Sequence, residues 1–246
     1  MSQFGLIGKS LSHSFSKSYF EKKFREAGLS HTYDNFEMYD ISGLKEWVMN
    51  KPELRGLNVT IPYKESVIPL LDELSDEAAA IGAVNCIKIK AGRLTGHNTD
   101  MYGFTQSIKP FLDHNHERAL ILGTGGASKA VAHALKQKGL DFFYVTSSAT
   151  KKTSNTFFYS EINETVMQAF KLIVNTTPLG MFPQTDTFPD LPYDYFSPQH
   201  LAYDLIYNPA QTVFLAKAAE KNAIIVNGLS MLQLQAEKSW EIWETV

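Results

Sequence analysis

The turn Gly123-Thr124-Gly125-Gly126, between the apolar run Ala119 to Leu122 and the apolar-periodic stretch Ala127 to Lys138, constrains this chain more than any other feature. A short apolar run bounded by glycines reads as a buried strand, and the periodic stretch after it as a helix. Glycines there permit a tight turn and let backbone N–H groups approach a pyrophosphate at the positive end of the helix. The pattern departs from G-x-G-x-x-G at its third position, where Ser128 stands, and an ordinary strand-to-helix turn has the same local look. Strand-like runs follow at Phe142 to Thr146, Leu172 to Asn175, Leu201 to Ile206 and Ile224 to Val226. Such repetition implies a parallel sheet with right-handed crossovers and favours dinucleotide binding.

Folds of this type that bind NAD often end the second strand in an Asp or Glu that holds the ribose 2′-hydroxyl. Here Val145-Thr146-Ser147-Ser148-Ala149-Thr150-Lys151-Lys152 contains no carboxylate. Hydroxyls followed by two lysines suit a 2′-phosphate, although a solvated polar loop has the same composition.

The first hundred residues also alternate strand-like and helical patterns, which predicts a layered α/β arrangement with partly parallel strands. The strands are Phe4 to Gly8, Thr32 to Met38 and Leu54 to Ile61, and the helices Ser14 to Ala27 and Ser42 to Asn50. The segment after Ala83 reads as a hairpin about Ala91-Gly92, which brings Asn85 and Asn98 together at its open end. Asn58-Val59-Thr60-Ile61-Pro62-Tyr63-Lys64 places polar groups at a strand's carboxyl end, where an α/β crevice takes its ligand. Taken singly, Lys64 equally reads as a solvated surface lysine and Asp100 as a helix N-cap. The last helix, about Met231 to Trp243, is expected to pack back on the first domain.

Bulk properties narrow the function classes. A chain of 246 residues with 44% hydrophobic residues buries a sizeable core. A net charge of -3 supplies no basic field for nucleic acid or an anionic membrane, which leaves a small-molecule partner. The single cysteine, Cys86, excludes an internal disulfide framework and reads as a small strand residue. Without a long apolar run or a secretory start, the protein reads as cytoplasmic. No metal site is indicated, and the sequence is compatible with a monomer or a homodimer.

Several segments then fall into one pattern: Ser12-His13-Ser14-Phe15-Ser16, Asn58 to Lys64, Gly82-Ala83-Val84-Asn85, Asn98-Thr99-Asp100 and the glycine turn. Asn175-Thr176-Thr177-Pro178-Leu179-Gly180-Met181, Asp204-Leu205-Ile206-Tyr207-Asn208-Pro209 and Gly228-Leu229-Ser230-Met231-Leu232-Gln233-Leu234-Gln235 continue it. In order and spacing the chain resembles shikimate dehydrogenases nearly from end to end. The resemblance implies an α/β fold with a substrate-binding catalytic domain, 1–100 plus 229–246, and a Rossmann-like NADP-binding domain, 101–228. It implies reversible NADPH-dependent reduction of 3-dehydroshikimate to shikimate, on the route to chorismate and the aromatic amino acids.

By resemblance, Ser14 and Ser16 hold the substrate carboxylate, and His13 supports their loop. Asn58, Thr60, Asn85, Asp100, Tyr207 and Gln235 contact the ring hydroxyls or carboxylate, and Lys64 with Asp100 forms the catalytic pair. The cofactor falls to Gly123, Gly125, Gly126, Ala127, Ser147, Ser148, Lys151, Lys152, Asn175, Thr176, Thr177, Leu205, Gly228 and Met231, with the segment from Asn175 to Met181, Gly228 and Met231 lining the nicotinamide site. Ser147-Ser148-Ala149 stands where many members carry Asn-Arg-Thr, so lysine replaces arginine at the expected 2′-phosphate, and the chain is short for the family between Lys152 and Glu164, where a helix is expected to be reduced to a turn. A quinate/shikimate dehydrogenase using NAD and a catalytically silent shikimate-binding regulator remain the alternatives.

Overall fold

The computed structural model describes residues 1–11 and 14–245, so Ser12 and His13 of the first motif lie outside the described residues. The chain divides into two compact units, Met1–Thr99 with Ala236–Val246, and Asp100–Gln235.

The first unit runs β1 (Gln3–Gly8), α1 (Phe15–Glu26), β2 (Thr32–Glu37), α2 (Leu44–Met49), β3 (Leu54–Val59), β4 (Glu73–Leu74), α3 (Asp76–Ile81), β5 (Cys86–Lys90) and β6 (Arg93–His97). Its sheet has the order β2-β1-β3-β5-β6-β4. β1 pairs in parallel with β2 and β3, while β5 is antiparallel to both β3 and β6. The expected hairpin forms: Ala91 and Gly92 both have positive φ, and Asn98 Nδ2 donates to Ala83 O at 2.9 Å. One face of the sheet packs Ile7, Leu57, Val59, Ile87 and Leu94 against α2 and α3 residues. An aromatic cluster of Phe4, Phe20, Phe24 and Tyr33 takes in Trp240 and Trp243 from the end of the chain.

The second unit contains α4 (Asp100–Ile108), β7 (Arg118–Leu122), α5 (Gly126–Gln137), β8 (Asp141–Thr146), β9 (Thr156–Phe158), α6 (Glu164–Ala169), β10 (Leu172–Asn175), β11 (Leu201–Asp204), α7 (Val213–Ala219), β12 (Ile224–Val226) and most of the first half of α8 (Leu229–Glu244). Its sheet, β12-β11-β10-β7-β8-β9, is parallel throughout. The strand runs sit on β7, β8, β10 and β12 as read. The run Leu201 to Ile206 stops at Asp204, because the Asp204 carboxylate captures the Ile206 N–H at 3.0 Å and turns the chain out of the ladder.

Two boundaries differ from the sequence expectation. Asp100 and residues 229–235 group with the second unit. The reason is close packing of α4 on α8: a Cβ on Gly103 would lie 2.6 Å from Met231 O, and Met231 shares a core with Phe104 and Ile108. Between Lys152 and Glu164 the chain forms the short strand β9 followed by a 3-10 turn, Tyr159–Glu161, rather than a turn alone.

Candidate active site

In the first unit, the proposed substrate residues gather at the carboxyl ends of β3 and β6. Asn58 is buried on β3, and its Oδ1 accepts the Tyr33 hydroxyl at 2.9 Å. Tyr33 is in turn hydrogen-bonded by Ser16, and burial pushes its phenol well above the usual tyrosine range. The Asn58 amide donates to Ser239 Oγ at 2.9 Å, and Ser239 meets Thr99 Oγ1 at 3.2 Å. Asn85 closes the network, donating to Thr99 Oγ1 at 2.9 Å and accepting the Thr99 N–H at 2.6 Å. Asn58 and Asn85 are therefore fixed in orientation before any ligand arrives.

Ser14 precedes α1, and its Oγ is buried with no hydrogen-bond partner among the described residues. A buried hydroxyl left so is costly unless a ligand supplies the partner. Thr60 follows β3, donating its N–H to Ile7 O at 2.9 Å. Lys64 is half-buried, and its carbonyl accepts the Val84 N–H at 2.7 Å, which ties its backbone to the Gly82-Asn85 segment.

In the second unit, Asp100 is buried and opens α4. Gln235 is buried on α8 and donates to Leu232 O at 3.0 Å, while Tyr207 is half-buried beyond β11. The glycine turn joins β7 to α5. Gly123 has φ +102°, and a Cβ on it would lie 2.9 Å from Thr176 Oγ1 and 3.1 Å from Thr177 Cγ2, so only glycine fits. No side chain caps α5, and a Cβ on Gly125 would meet open space. The uncapped N–H groups of Gly126 and Ala127 thus suit a phosphate group. Ser128 at the motif's third glycine position bonds its hydroxyl back to Gly125 O at 2.6 Å, which accommodates the departure from the pattern.

Beyond β8, the Ser148 N–H donates to Thr146 Oγ1 at 3.1 Å, and Ser148 Oγ meets Thr150 Oγ1 at 2.9 Å. Ser147 is exposed. Sequence reading treats Lys151 and Lys152 alike, but the structure separates them. Lys152 is paired with Glu161 and lies 4.5 Å over the Phe158 ring, whereas Lys151 is exposed. Asn175, Thr176 and Thr177 follow β10, and Leu205 N–H donates to Asn175 O at 3.0 Å. Gly228 packs against the Leu205 backbone, and Met231 is buried in the core beside α4.

The profile of the shikimate dehydrogenase substrate-binding domain matches residues 6–87. The shikimate dehydrogenase (NADP(+)) of Carboxydothermus hydrogenoformans is 39% identical over 260 residues, covering 98% of this chain and 91% of its own. This chain belongs to the shikimate dehydrogenase family. Within the family, the shikimate 5-dehydrogenase of Thermus thermophilus, solved with NADP(H) and shikimate, superposes with a TM-score of 0.88 at 30% identity, covering 100% of this chain and 94% of that one. The quinate dehydrogenase of Corynebacterium glutamicum, solved with NAD, also gives a TM-score of 0.88, at 26% identity, with 100% and 94% of the chains covered.

Sequence reasoning missed Tyr33 and Ser239 as supports of the site, and it gave Thr99 and Asp204, which lie within its motifs, no role. Tyr33 carried a signal: a phenol within an apolar strand pattern needs a buried partner. Ser239 carried none, because its partner Asn58 is 181 residues away. Among the described residues, no group of three or more His, Cys, Asp or Glu could hold a metal ion, and no helix is long and apolar enough to cross a membrane.

Proposed function

We propose that this chain is an NADP-dependent shikimate dehydrogenase acting in the cytoplasm, reducing 3-dehydroshikimate reversibly to shikimate. The observation that carries this reading is near-full-length similarity to NADP(+)-dependent shikimate dehydrogenases in a chain that keeps both Lys64 and Asp100. The unit Met1–Thr99 with Ala236–Val246 supplies most of the substrate contacts, and Asp100–Gln235 carries the dinucleotide.

Bound NADPH supplies the hydride. The protein supplies everything else: the Ser14 and Ser16 hydroxyls take the substrate carboxylate, while Asn58, Thr60, Asn85, Tyr207 and Gln235 read the remaining oxygens. Asn58 and Asn85 come preoriented by Tyr33, Ser239 and Thr99, which lowers the entropy lost on binding. Lys64 stabilises the ketone oxygen as it gains charge and delivers its proton, and Asp100 orients the ammonium and anchors a hydroxyl. For the cofactor, the N–H groups of Gly126 and Ala127 take the pyrophosphate. Ser147, Ser148 and Lys151 take the 2′-phosphate, and the absence of a carboxylate from Thr146 to Lys152 leaves nothing to repel it.

Steady-state kinetics with shikimate and quinate, each with NADP and NAD, tests the reading. The highest kcat/KM is expected for shikimate with NADP. Faster turnover of quinate with NAD would move the chain to the quinate branch, and shikimate binding without turnover would make it a regulator.

A further inference from the structure

Asp204 ends β11 opposite Asn175 of β10, and its side chain is fully buried. Its Oδ1 accepts the Asn175 side-chain amide and the Ile206 N–H, both at 3.0 Å, and its Oδ2 accepts the Thr212 hydroxyl at 2.6 Å. All three donors are neutral. A buried carboxylate without a cation is costly even when hydrogen-bonded, and burial raises Asp204 to about 6. Nothing in the proposed proton or hydride transfer uses this group.

What Asp204 orients gives it a role. Because the Asn175 Nδ2 turns to Asp204, its Oδ1 faces Thr177, accepting the Thr177 N–H at 3.0 Å and the hydroxyl at 2.7 Å. Thr177 Oγ1 in turn accepts the Leu179 N–H at 3.3 Å. Thr176 and Thr177 are the residues against which Gly123 of the glycine turn packs. The same carboxylate holds Ile206, which fixes the start of the segment leading to Tyr207. One buried charge therefore sets two segments at the carboxyl ends of adjacent strands, where an α/β sheet binds its ligand.

We propose that Asp204 is a positioning residue for the nicotinamide half of the dinucleotide, acting through Asn175 and Thr177. A carboxylate accepts from Asn175, Ile206 and Thr212 at once through charge-assisted bonds, whereas an amide there, with its NH2 turned to the Thr212 hydroxyl, offers Asn175 only a neutral oxygen and holds it less firmly. The inference rests on the proposed NADP-dependent function.

The experiment titrates the parent and Asp204→Asn with NADPH and with 2′,5′-ADP, a fragment that carries only the adenosine half. The variant is expected to bind NADPH about tenfold more weakly, the loss of one hydrogen bond to a charged group, and 2′,5′-ADP within about twofold of the parent. Unchanged NADPH binding overturns the proposal, and so does an equal loss for both ligands, which is what general damage to the unit produces. If Asp204→Asn does not fold, Thr212→Val keeps the carboxylate and removes one of its donors. A threefold or greater loss confined to NADPH then supports the proposal, and no selective loss overturns it. A parent that binds neither ligand defeats the NADP reading itself rather than the role of Asp204.

Discussion

Lys152 is paired with Glu161 and lies 4.5 Å over the ring of Phe158, whereas Lys151 is exposed on the 3-10 turn Ala149–Lys151. Glu161 also accepts the Phe158 N–H at 2.6 Å, so its carboxylate is held in place to engage Lys152. The two lysines are therefore not equally available to a ligand. Lys151→Ala is expected to raise the KM for NADP about five- to tenfold, with that for NAD nearly unchanged, and Lys152→Ala to shift it by less than about twofold. Equal effects of the two single variants on the NADP KM would show that the Glu161 pair does not withhold Lys152.

Lys64→Ala is expected to lower kcat by on the order of a hundredfold or more, the usual contribution of a general acid-base group. Circular dichroism should show the fold intact. A folded variant with kcat within about twofold of the parent would remove Lys64 from the chemistry.

The two serines should differ. Ser14 Oγ is buried without a partner among the described residues, while Ser16 also supports Tyr33. Ser14→Ala is expected to weaken shikimate binding about tenfold or more with no loss of stability in the free protein, since a hydroxyl bonded to a carboxylate contributes roughly 1.5 to 3 kcal/mol. Ser16→Ala should weaken binding and also lower Tm. Calorimetric titration and thermal unfolding read the two effects separately, and an unchanged Kd in both variants would end the carboxylate assignment.

Asp204 predicts a pH dependence of stability. Its folded value of about 6 lies above the ordinary 3.8, so the folded state binds this proton more tightly than the unfolded chain. Its contribution is most favourable below about 3.8 and is lost as pH rises through about 6, a full change on the order of 3 kcal/mol. Tyr193, whose phenol feels the Asp204 charge, is itself raised, by burial first, and stays neutral across that window. Denaturant unfolding of the parent and Asp204→Asn at about pH 5 and pH 7.5 isolates the effect. The parent's stability relative to the variant should fall by about 1 to 1.5 kcal/mol between them, the part of the linkage still outstanding above pH 5. A difference independent of pH would show that Asp204 titrates normally.

The strands of both units were legible because runs such as Leu172–Asn175 are buried on both faces, and such strands are continuous in apolar residues. β9 was not, because three residues carry no periodicity; its place follows from pairing with β8, where Val145 meets Phe157. Residues named for direct ligand contact were legible as motifs. Their supports were not, since Tyr33, Ser239 and Asp204 act by filling the hydrogen-bonding needs of distant neighbours, which local spacing does not encode.

The aromatic cluster that joins Phe4, Phe20 and Phe24 to Trp240 and Trp243 also governs the order in which the protein can be made. Trp243 donates its indole N–H to Ile87 O at 3.0 Å, and Lys23 pairs with Glu237 at 2.6 Å. The unit containing Met1–Thr99 is thus begun before Asp100–Gln235 is made and completed only after it. Its core stays open until the segment from Ala236 onward emerges, whereas Asp100–Gln235 is a continuous segment that can close earlier. Loss of the last dozen residues would strip the indoles from the amino-terminal core and leave Phe4, Phe20 and Phe24 exposed to aggregation.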